Sequence, residues 1–386
     1  MKIDKLHSNK KILIMAGGTG GHIFPALSIA KYFLEQGIKV EWLGTKMGLE
    51  AKVIGETDIP IHFISISGLR GKSVFKKLLS PLFICLAILQ AMVKILLIKP
   101  NCVLGMGGFV TGPGGVAARL LGKKVLIHEQ NAIAGLTNQL LFPLSTVVME
   151  AFPGAFERKQ EITTNNLLRA FIKADKAVCV GNPVRKEILD CPEPMERFSV
   201  NESAKLKIMI VGGSLGAIAI NNVIPALLSL LPKAERPEVL HQCGKKNIQE
   251  TLAVYSKLGV EMNQDISVQP FIDDMAKAYC WADVVICRSG AITVSELASV
   301  GVASVLIPYP YAVDDHQTEN AKVLEQLGAA WVINQDDLSP EKLLSIVEMF
   351  MNNKSMALTK ALAAKNGQQI DATKQAAKIC MEACYA

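Results

Sequence analysis

Residues 280–317 read CWADVVICRSGAITVSELASVGVASVLIPYPYAVDDHQ. Asp283–Cys287 is a short apolar run rich in β-branched residues, the composition of a strand buried on both faces. Arg288, Ser289 and Gly290 interrupt it. From Ala291 to Val300 the spacing turns helical, with Ile292, Ser295, Glu296 and Ser299 near one another. A second apolar run, Ala303–Pro308, follows. Strand, tight turn, helix and strand make a βαβ unit, and such a unit builds a parallel sheet. Its ligands sit at the carboxyl ends of the strands, against the N-terminus of the helix. Ser289, Gly290, Thr293 and Glu296 fall there, with Pro308–Gln317 after the second strand. Backbone N–H groups at the helix start suit a phosphate, and a carboxylate further along suits a pair of sugar hydroxyls. The pattern predicts a nucleotide or nucleotide-sugar site. The competing reading makes Glu296 an ordinary solvated helix glutamate.

The same unit recurs upstream. Lys11–Ala16 reads as a strand, Gly17-Gly18-Thr19-Gly20-Gly21-His22 as a glycine loop, and Ile23–Gln36 as an amphipathic helix that Gly37 ends. The loop lacks the G-x-G-x-x-G spacing of a dinucleotide binder. The next strand, Lys39–Gly44, ends in Gly44-Thr45 where such a protein needs an acid, and Glu41 lies inside the strand. The loop is therefore a phosphate site of another kind, or only a tight turn. A third strand, Ile61–Ser67, leads to the basic loop Gly68–Lys72.

Leu78–Ile98 is long and apolar enough to raise a transmembrane helix, but Pro81, Gln90 and Lys94 interrupt it. The next strand, Cys102–Leu104, needs a crossover helix to lie parallel to its predecessor. A partly buried crossover helix is the better reading. Its start, with Val74, Phe75, Leu78, Leu79, Leu82 and Phe83 beside Lys72, Lys76 and Lys77, suits a bilayer surface. A second glycine loop, Gly105–Gly115, contains Gly107 and Gly108. The strand Lys124–His128 ends in the polar run Glu129-Gln130-Asn131, and Ala177–Val180 is followed by Gly181-Asn182-Pro183-Val184-Arg185.

Residues 186–204 are rich in proline and charge and read as a linker. The pattern then restarts with the strand Leu206–Val211, the loop Gly212-Gly213-Ser214 and the helix Ile218–Leu231. The chain is thus expected to be α/β, with two doubly wound Rossmann-like domains and an interdomain cleft. The domains would cover residues 1–185 and 205–386, with the closing helices able to pack back on the first.

Composition narrows the function. Residues 1–200 carry 25 Lys and Arg against 15 Asp and Glu, whereas residues 201–386 carry 16 against 20. No acidic residue occurs between Asp58 and Glu129. A basic, apolar first half attracts anionic lipid headgroups or phosphorylated ligands. Aromatics are sparse there and no nucleic-acid motif occurs, so nucleic acid is not an expected partner. The nine cysteines are scattered without a Cys-x-x-Cys pair, which argues for a reducing compartment and against a disulfide framework or zinc site. The polar N-terminus does not read as a signal peptide.

GGTGGHIFPA, ISGLRGK, GMGGFVTGPGG, HEQNAIAGLTN, GNPVR, GGSLGA, FIDDM, RSGAITVSE and DDHQTENA, in this order, resemble the MurG family. These are the undecaprenyl-diphospho-muramoylpentapeptide β-N-acetylglucosaminyltransferases of bacterial cell-wall synthesis. The resemblance runs from about Lys11 to Leu327. It implies a GT-B architecture, no cofactor and no essential metal. It also implies transfer of GlcNAc from UDP-GlcNAc to a lipid-linked muramoyl sugar on the cytoplasmic face of the inner membrane, where the enzyme is peripheral and other cell-wall synthesis proteins are candidate partners. The family's donor contacts fall on Thr19, Gly20, Gly21, Asn131, Arg185, Ser214, Ile272, the run Ala291, Ile292, Thr293, Val294, Ser295 and Glu296, and Gln317. The acceptor diphosphate is expected at Gly18, Gly107 and Gly108. Phe109 stands where many relatives carry Tyr, and Glu157–Lys176 matches no family pattern.

An α-linked donor and a β-linked product imply one in-line displacement with inversion. His22, in the first loop, is the first candidate for the base; helix capping or phosphate binding is its alternative, and Glu129 is the other candidate base. No Asp-x-Asp presents a metal. Helix starts after Ser214 and Gly290, with Arg185 or Arg288, would stabilise the leaving diphosphate.

Overall fold

The computed structural model describes residues 10–67, 80–162, 177–198, 205–213, 216–369 and 371–385. Ser214, the basic loop from Gly68, the residues Val74, Phe75, Leu78 and Leu79, and most of the 157–176 insertion lie outside the described residues. The chain divides into two units, Met1–Arg185 with Gln369–Ala386, and Lys186–Gln368.

The first unit holds a seven-stranded parallel sheet. Its strands are β1 (Lys11–Met15), β2 (Lys39–Gly44), β3 (Ile61–Phe63), β4 (Cys102–Gly105), β5 (Lys124–Glu129), β6 (Val147–Glu150) and β7 (Ala177–Cys179), in the order β3-β2-β1-β4-β5-β6-β7. Strand β1 lies between β2 and β4, with Ile12 opposite both Val40 and Cys102. Its residues alternate between two cores. Ile12 and Ile14 pack with Ile23, Ala26 and Ile29 of α1 (Gly20–Glu35). Leu13 and Met15 pack with Ala87, Ala91 and Ile95 of α2 (Ser80–Ile98), and with Ala117 of α3 (Thr111–Leu120). A strand covered on both faces needs an unbroken apolar run, and that is why the sequence signal was strong.

Helix α2 is the one described helix long and apolar enough to cross a membrane. It is nevertheless the crossover between β3 and β4. Ala87, Ala91 and Ile95, four residues apart, seat it on the sheet, and Gln90 Oε1 accepts the Ser65 N–H at 2.7 Å. Its other face leaves Leu82, Phe83, Leu86, Leu89, Val93 and Leu97 exposed.

The second unit repeats the order. Its strands are β8 (Lys207–Val211), β9 (Glu238–Gln242), β10 (Ile266–Gln269), β11 (Val284–Cys287), β12 (Ala303–Leu306) and β13 (Ala330–Val332), in the order β10-β9-β8-β11-β12-β13, all parallel. The helices that matter below are α4 (Ile218–Leu230), α5 (Met275–Trp281), α6 (Ala291–Val300) and α7 (His316–Gln326).

Two short strands and one disulfide differ from the sequence reading. Strands β6 and β13 were not foreseen, because runs of three or four residues are too short to show a period. The last helix, α8 (Ala372–Tyr385), belongs to the first unit, where Ala376, Ala377 and Cys380 join the core beside α1. It is joined there by a disulfide between Cys102 on β4 and Cys384, their Cα atoms 5.6 Å apart. A pair separated by 282 residues leaves no spacing pattern to read.

Candidate active site

In both sheets the strand order reverses beside the first strand, between β1 and β4 and between β8 and β11. Ligands of doubly wound sheets bind at such switch points, outside the carboxyl ends of the strands. The glycine loops leave the sheets at these points.

In the first unit two loops interlock. Gly108 has φ +80°, and a Cβ there would meet the Gly17 carbonyl oxygen at 2.1 Å, so only glycine permits the approach. Thr111 Oγ1 lies 2.8 Å from the Met15 carbonyl and 2.6 Å from that of Gly107. Glu50, a buried carboxylate that sequence reasoning missed, accepts the Thr45 N–H at 3.0 Å, the Thr45 hydroxyl at 2.8 Å and the Gly18 N–H at 3.2 Å. Glu50 thus engages the N–H of Gly18, one of the residues expected to seat the acceptor diphosphate. Gly107 and Gly108 keep their place at the switch point.

Helix α1 starts at Gly20, three residues before the expected Ile23, so Gly20, Gly21 and His22 form its first turn. Thr19, at its N-cap, makes no side-chain cap and leaves the helix start open. The His22 ring lies against Gly107, where a Cβ would come within 2.9 Å of it. Its Nδ1 is 2.9 Å from Gln130 Oε1. Gln130 Nε2 lies 3.1 Å from both His128 Nδ1 and the His128 carbonyl, and His128 Nε2 lies 2.9 Å from the Gly181 carbonyl. Burial pushes the His128 imidazole down to about 4, so it is neutral at ordinary pH.

Glu129 has a different task. Its Oε1 accepts from the Asn131 N–H at 2.9 Å and from Asn131 Nδ2 at 3.0 Å; its Oε2 accepts from the Gly135 N–H at 3.0 Å and from Asn138 Nδ2 at 2.9 Å. Four donors saturate a carboxylate that is only 2% exposed. The geometry makes Glu129 the organiser of the 131–138 loop, which positions Asn131. Arg185 places its guanidinium 5.5 Å from the centre of the Phe24 ring.

In the second unit the loop after β8 is closed by a contact the sequence did not reveal. Gln242, at the end of β9, accepts the Ile272 N–H at 2.8 Å and donates to the Gly213 carbonyl at 3.1 Å. Helix α6 follows β11 directly. Gly290, at its N-cap, cannot cap with a side chain, so its first-turn N–H groups suit a phosphate. Within the run 291–296 the helical period divides the roles. Val294 is buried in the core, and the Ser295 hydroxyl donates back to the Ala291 carbonyl at 3.0 Å. Ile292 and Thr293 are only partly buried. Glu296 is 5% exposed and accepts the Tyr279 hydroxyl of α5 at 3.1 Å, so it is not a solvated helix glutamate.

Arg288 turns inward. Its Nη1 donates to the Ile307 and Pro308 carbonyls at 3.0 and 2.9 Å, and its Nη2 to Gln335 Oε1. It braces the loop after β12, and these contacts, rather than an expected diphosphate, are what its guanidinium meets in this structure. The Ser289 hydroxyl donates to the Gln317 carbonyl at 2.7 Å, and Gln317 Oε1 accepts the Tyr309 N–H at 3.0 Å. That orientation holds the Gln317 amide by its oxygen and presents its nitrogen, a donor for a sugar hydroxyl. Among the described residues no three His, Cys, Asp or Glu side chains converge to hold a metal ion.

Among the described residues, the end of β2 at Gly44 carries no acid of the dinucleotide-binding kind. Glu41 is paired with Lys11 at 3.1 Å and His62 at 2.6 Å. Two Rossmann-like parallel sheets with open helix starts at their switch points are the architecture of the GT-B class. Residues 12–149 match the glycosyltransferase family 28 N-terminal domain and residues 207–378 its C-terminal domain. The UDP-N-acetylglucosamine--N-acetylmuramyl-(pentapeptide) pyrophosphoryl-undecaprenol N-acetylglucosamine transferase of Marinobacter nauticus is 47% identical over 97% of this chain and 98% of its own length. Its namesake from Shewanella halifaxensis is 46% identical over 96% of each. The crystal structure of Acinetobacter baumannii MurG is 40% identical, covers 97% of this chain and 99% of its own, and superposes with a TM-score of 0.77. The chain belongs to this family of N-acetylglucosamine transferases.

Proposed function

We propose that the chain transfers N-acetylglucosamine from UDP-GlcNAc to the 4-hydroxyl of the N-acetylmuramyl sugar of an undecaprenyl-pyrophosphoryl pentapeptide, with inversion. The observation that carries this reading is the near-full-length identity to transferases named for that reaction. His22 Nε2 takes the proton of the acceptor hydroxyl as its oxygen attacks the anomeric carbon. The bond from that carbon to the diphosphate oxygen breaks on the opposite side, and UDP departs. Glu296 holds the ribose hydroxyls, Ile272 lies on the uracil side, and Gln317 and Asn131 hold the sugar. The starts of α1 and α6, with Thr19, Gly20, Gly21, Arg185 and Ser214, receive the phosphates. Gly107 and Gly108 lie toward the acceptor diphosphate.

The enzyme acts as a peripheral protein on the cytoplasmic face of the inner membrane. The exposed apolar side of α2 and the basic balance of the first half support that placement. The test is UDP release from UDP-GlcNAc by purified protein, with and without a lipid-diphosphate muramoyl-peptide acceptor. Release that requires the acceptor, with a β-linked product, supports the reading. Binding of UDP-GlcNAc with no acceptor-dependent release would leave a nucleotide-sugar binding protein instead.

A further inference from the structure

We propose that Gln130 and His128 are positioning residues that fix the tautomer of His22, so that its Nε2 carries the lone pair that accepts the acceptor's proton. The proposal rests on the reading of His22 as the base. Two backbone carbonyls, which can only accept hydrogen bonds, set the direction of the whole chain of contacts.

The Gly181 carbonyl lies 2.9 Å from His128 Nε2, so that nitrogen carries the hydrogen. His128 is buried without exposure to solvent, and a neutral ring protonated at Nε2 has its lone pair on Nδ1. That lone pair requires a donor, and Gln130 Nε2 is 3.1 Å away. The same Nε2 lies 3.1 Å from the His128 carbonyl, a second group that can only accept. Two acceptors therefore fix which end of the Gln130 amide is nitrogen, a choice that atomic positions alone leave open. The Asn182 amide holds the Gln130 main chain through its carbonyl at 2.9 Å.

With the amide oriented, its oxygen faces His22 Nδ1 at 2.9 Å. An amide oxygen cannot donate, so Nδ1 carries the hydrogen. The neutral His22 ring then has its lone pair on Nε2, and no described residue bonds to that nitrogen. Gln130 does for this histidine what a carboxylate does in a serine-hydrolase triad, orienting the ring and selecting its tautomer, but without charge. Gly107 completes the arrangement by leaving room for the ring.

The test reads the tautomer directly. Long-range proton–nitrogen correlation spectra of histidine-labelled protein, at alkaline pH where the imidazole is neutral, resolve the two ring nitrogens; the chain has six histidines, and His22→Ala assigns the signal. His22 should be protonated at Nδ1 in the wild type. Gln130→Met should move hydrogen to Nε2 and lower kcat on the order of 100-fold, with KM for donor and acceptor kept within about threefold. Gln130→Glu, with one proton shared with His128, still presents an acceptor to Nδ1 and should return kcat to within about tenfold of wild type. A wild-type spectrum with His22 protonated at Nε2 would overturn the proposal, as would full kcat in Gln130→Met. The wild-type spectrum does not depend on how any variant folds. Full turnover in His22→Ala would instead remove the base reading, a distinct failure.

Discussion

Each unit buries one histidine on a strand, and the two are wired differently. His241, on β9, bonds to the Tyr255 hydroxyl at 2.9 Å and to Asn221 Oδ1 at 3.2 Å, and Asn221 Nδ2 turns back to the Cys243 carbonyl at 2.9 Å. That network closes within the core. His128, on β5, reaches through Gln130 to the half-buried ring of His22, at the switch point of its sheet. Burial pushes both histidines far below their ordinary range, His128 to about 4 and His241 to about 3, so neither takes up a proton in the folded protein near neutral pH. A closed polar network specifies packing. An open one hands its order to His22, the group proposed to meet substrate. In the second unit Glu296 accepts the Tyr279 hydroxyl at 3.1 Å, and the role proposed for it is holding ribose hydroxyls rather than moving a proton.

The largest expected effect is at the open end of the first unit: His22→Ala should lower kcat by about 10²- to 10⁴-fold while leaving UDP-GlcNAc affinity intact, read by single-turnover transfer and by donor titration. Next, Glu296→Gln should weaken donor binding by about 10- to 100-fold, the scale of one hydrogen bond to a charged group, with acceptor KM unchanged. Tyr279→Phe removes only the group that steadies Glu296, and its donor affinity should fall about three- to tenfold. His241→Gln, in the closed network, should lower the melting temperature by a few degrees and leave kcat within about twofold. A rate loss there comparable to that of His22→Ala would break the contrast.

The buried histidines also set a pH response. The unfolded chain binds a proton on each below about pH 6.5, whereas the folded chain resists until about 4 for His128 and about 3 for His241. The unfolded state thus holds more protons in this window, and stability falls as the pH drops through it, on the order of 3 kcal/mol from His128 alone. Urea midpoints measured between pH 8 and pH 4.5 check the sign; a midpoint that rose on acidification would contradict neutral burial.

Both sheets were legible because a strand covered on two faces writes itself as an unbroken apolar run, as Ile12–Met15 and Val284–Cys287 do. The glycine loops were legible because positive φ and backbone approach at Gly108 admit no side chain. The wiring was not. Glu50, Gln242 and Tyr279 act across 32, 29 and 17 residues of sequence, and no local pattern marks them. Spacing also could not tell that Glu129 is saturated by its own loop, or that Arg288 folds onto carbonyls 19 and 20 residues away. Polar partners in a folded protein are chosen by three-dimensional proximity, and that information appears only once the sheet order is known.

The most direct test of the division of labour is single-turnover transfer at saturating UDP-GlcNAc, with His22→Ala and Glu296→Gln run side by side. Saturation should restore most of the rate to Glu296→Gln and none of it to His22→Ala. Recovery of His22→Ala by added donor, with Glu296→Gln still slow, would contradict it.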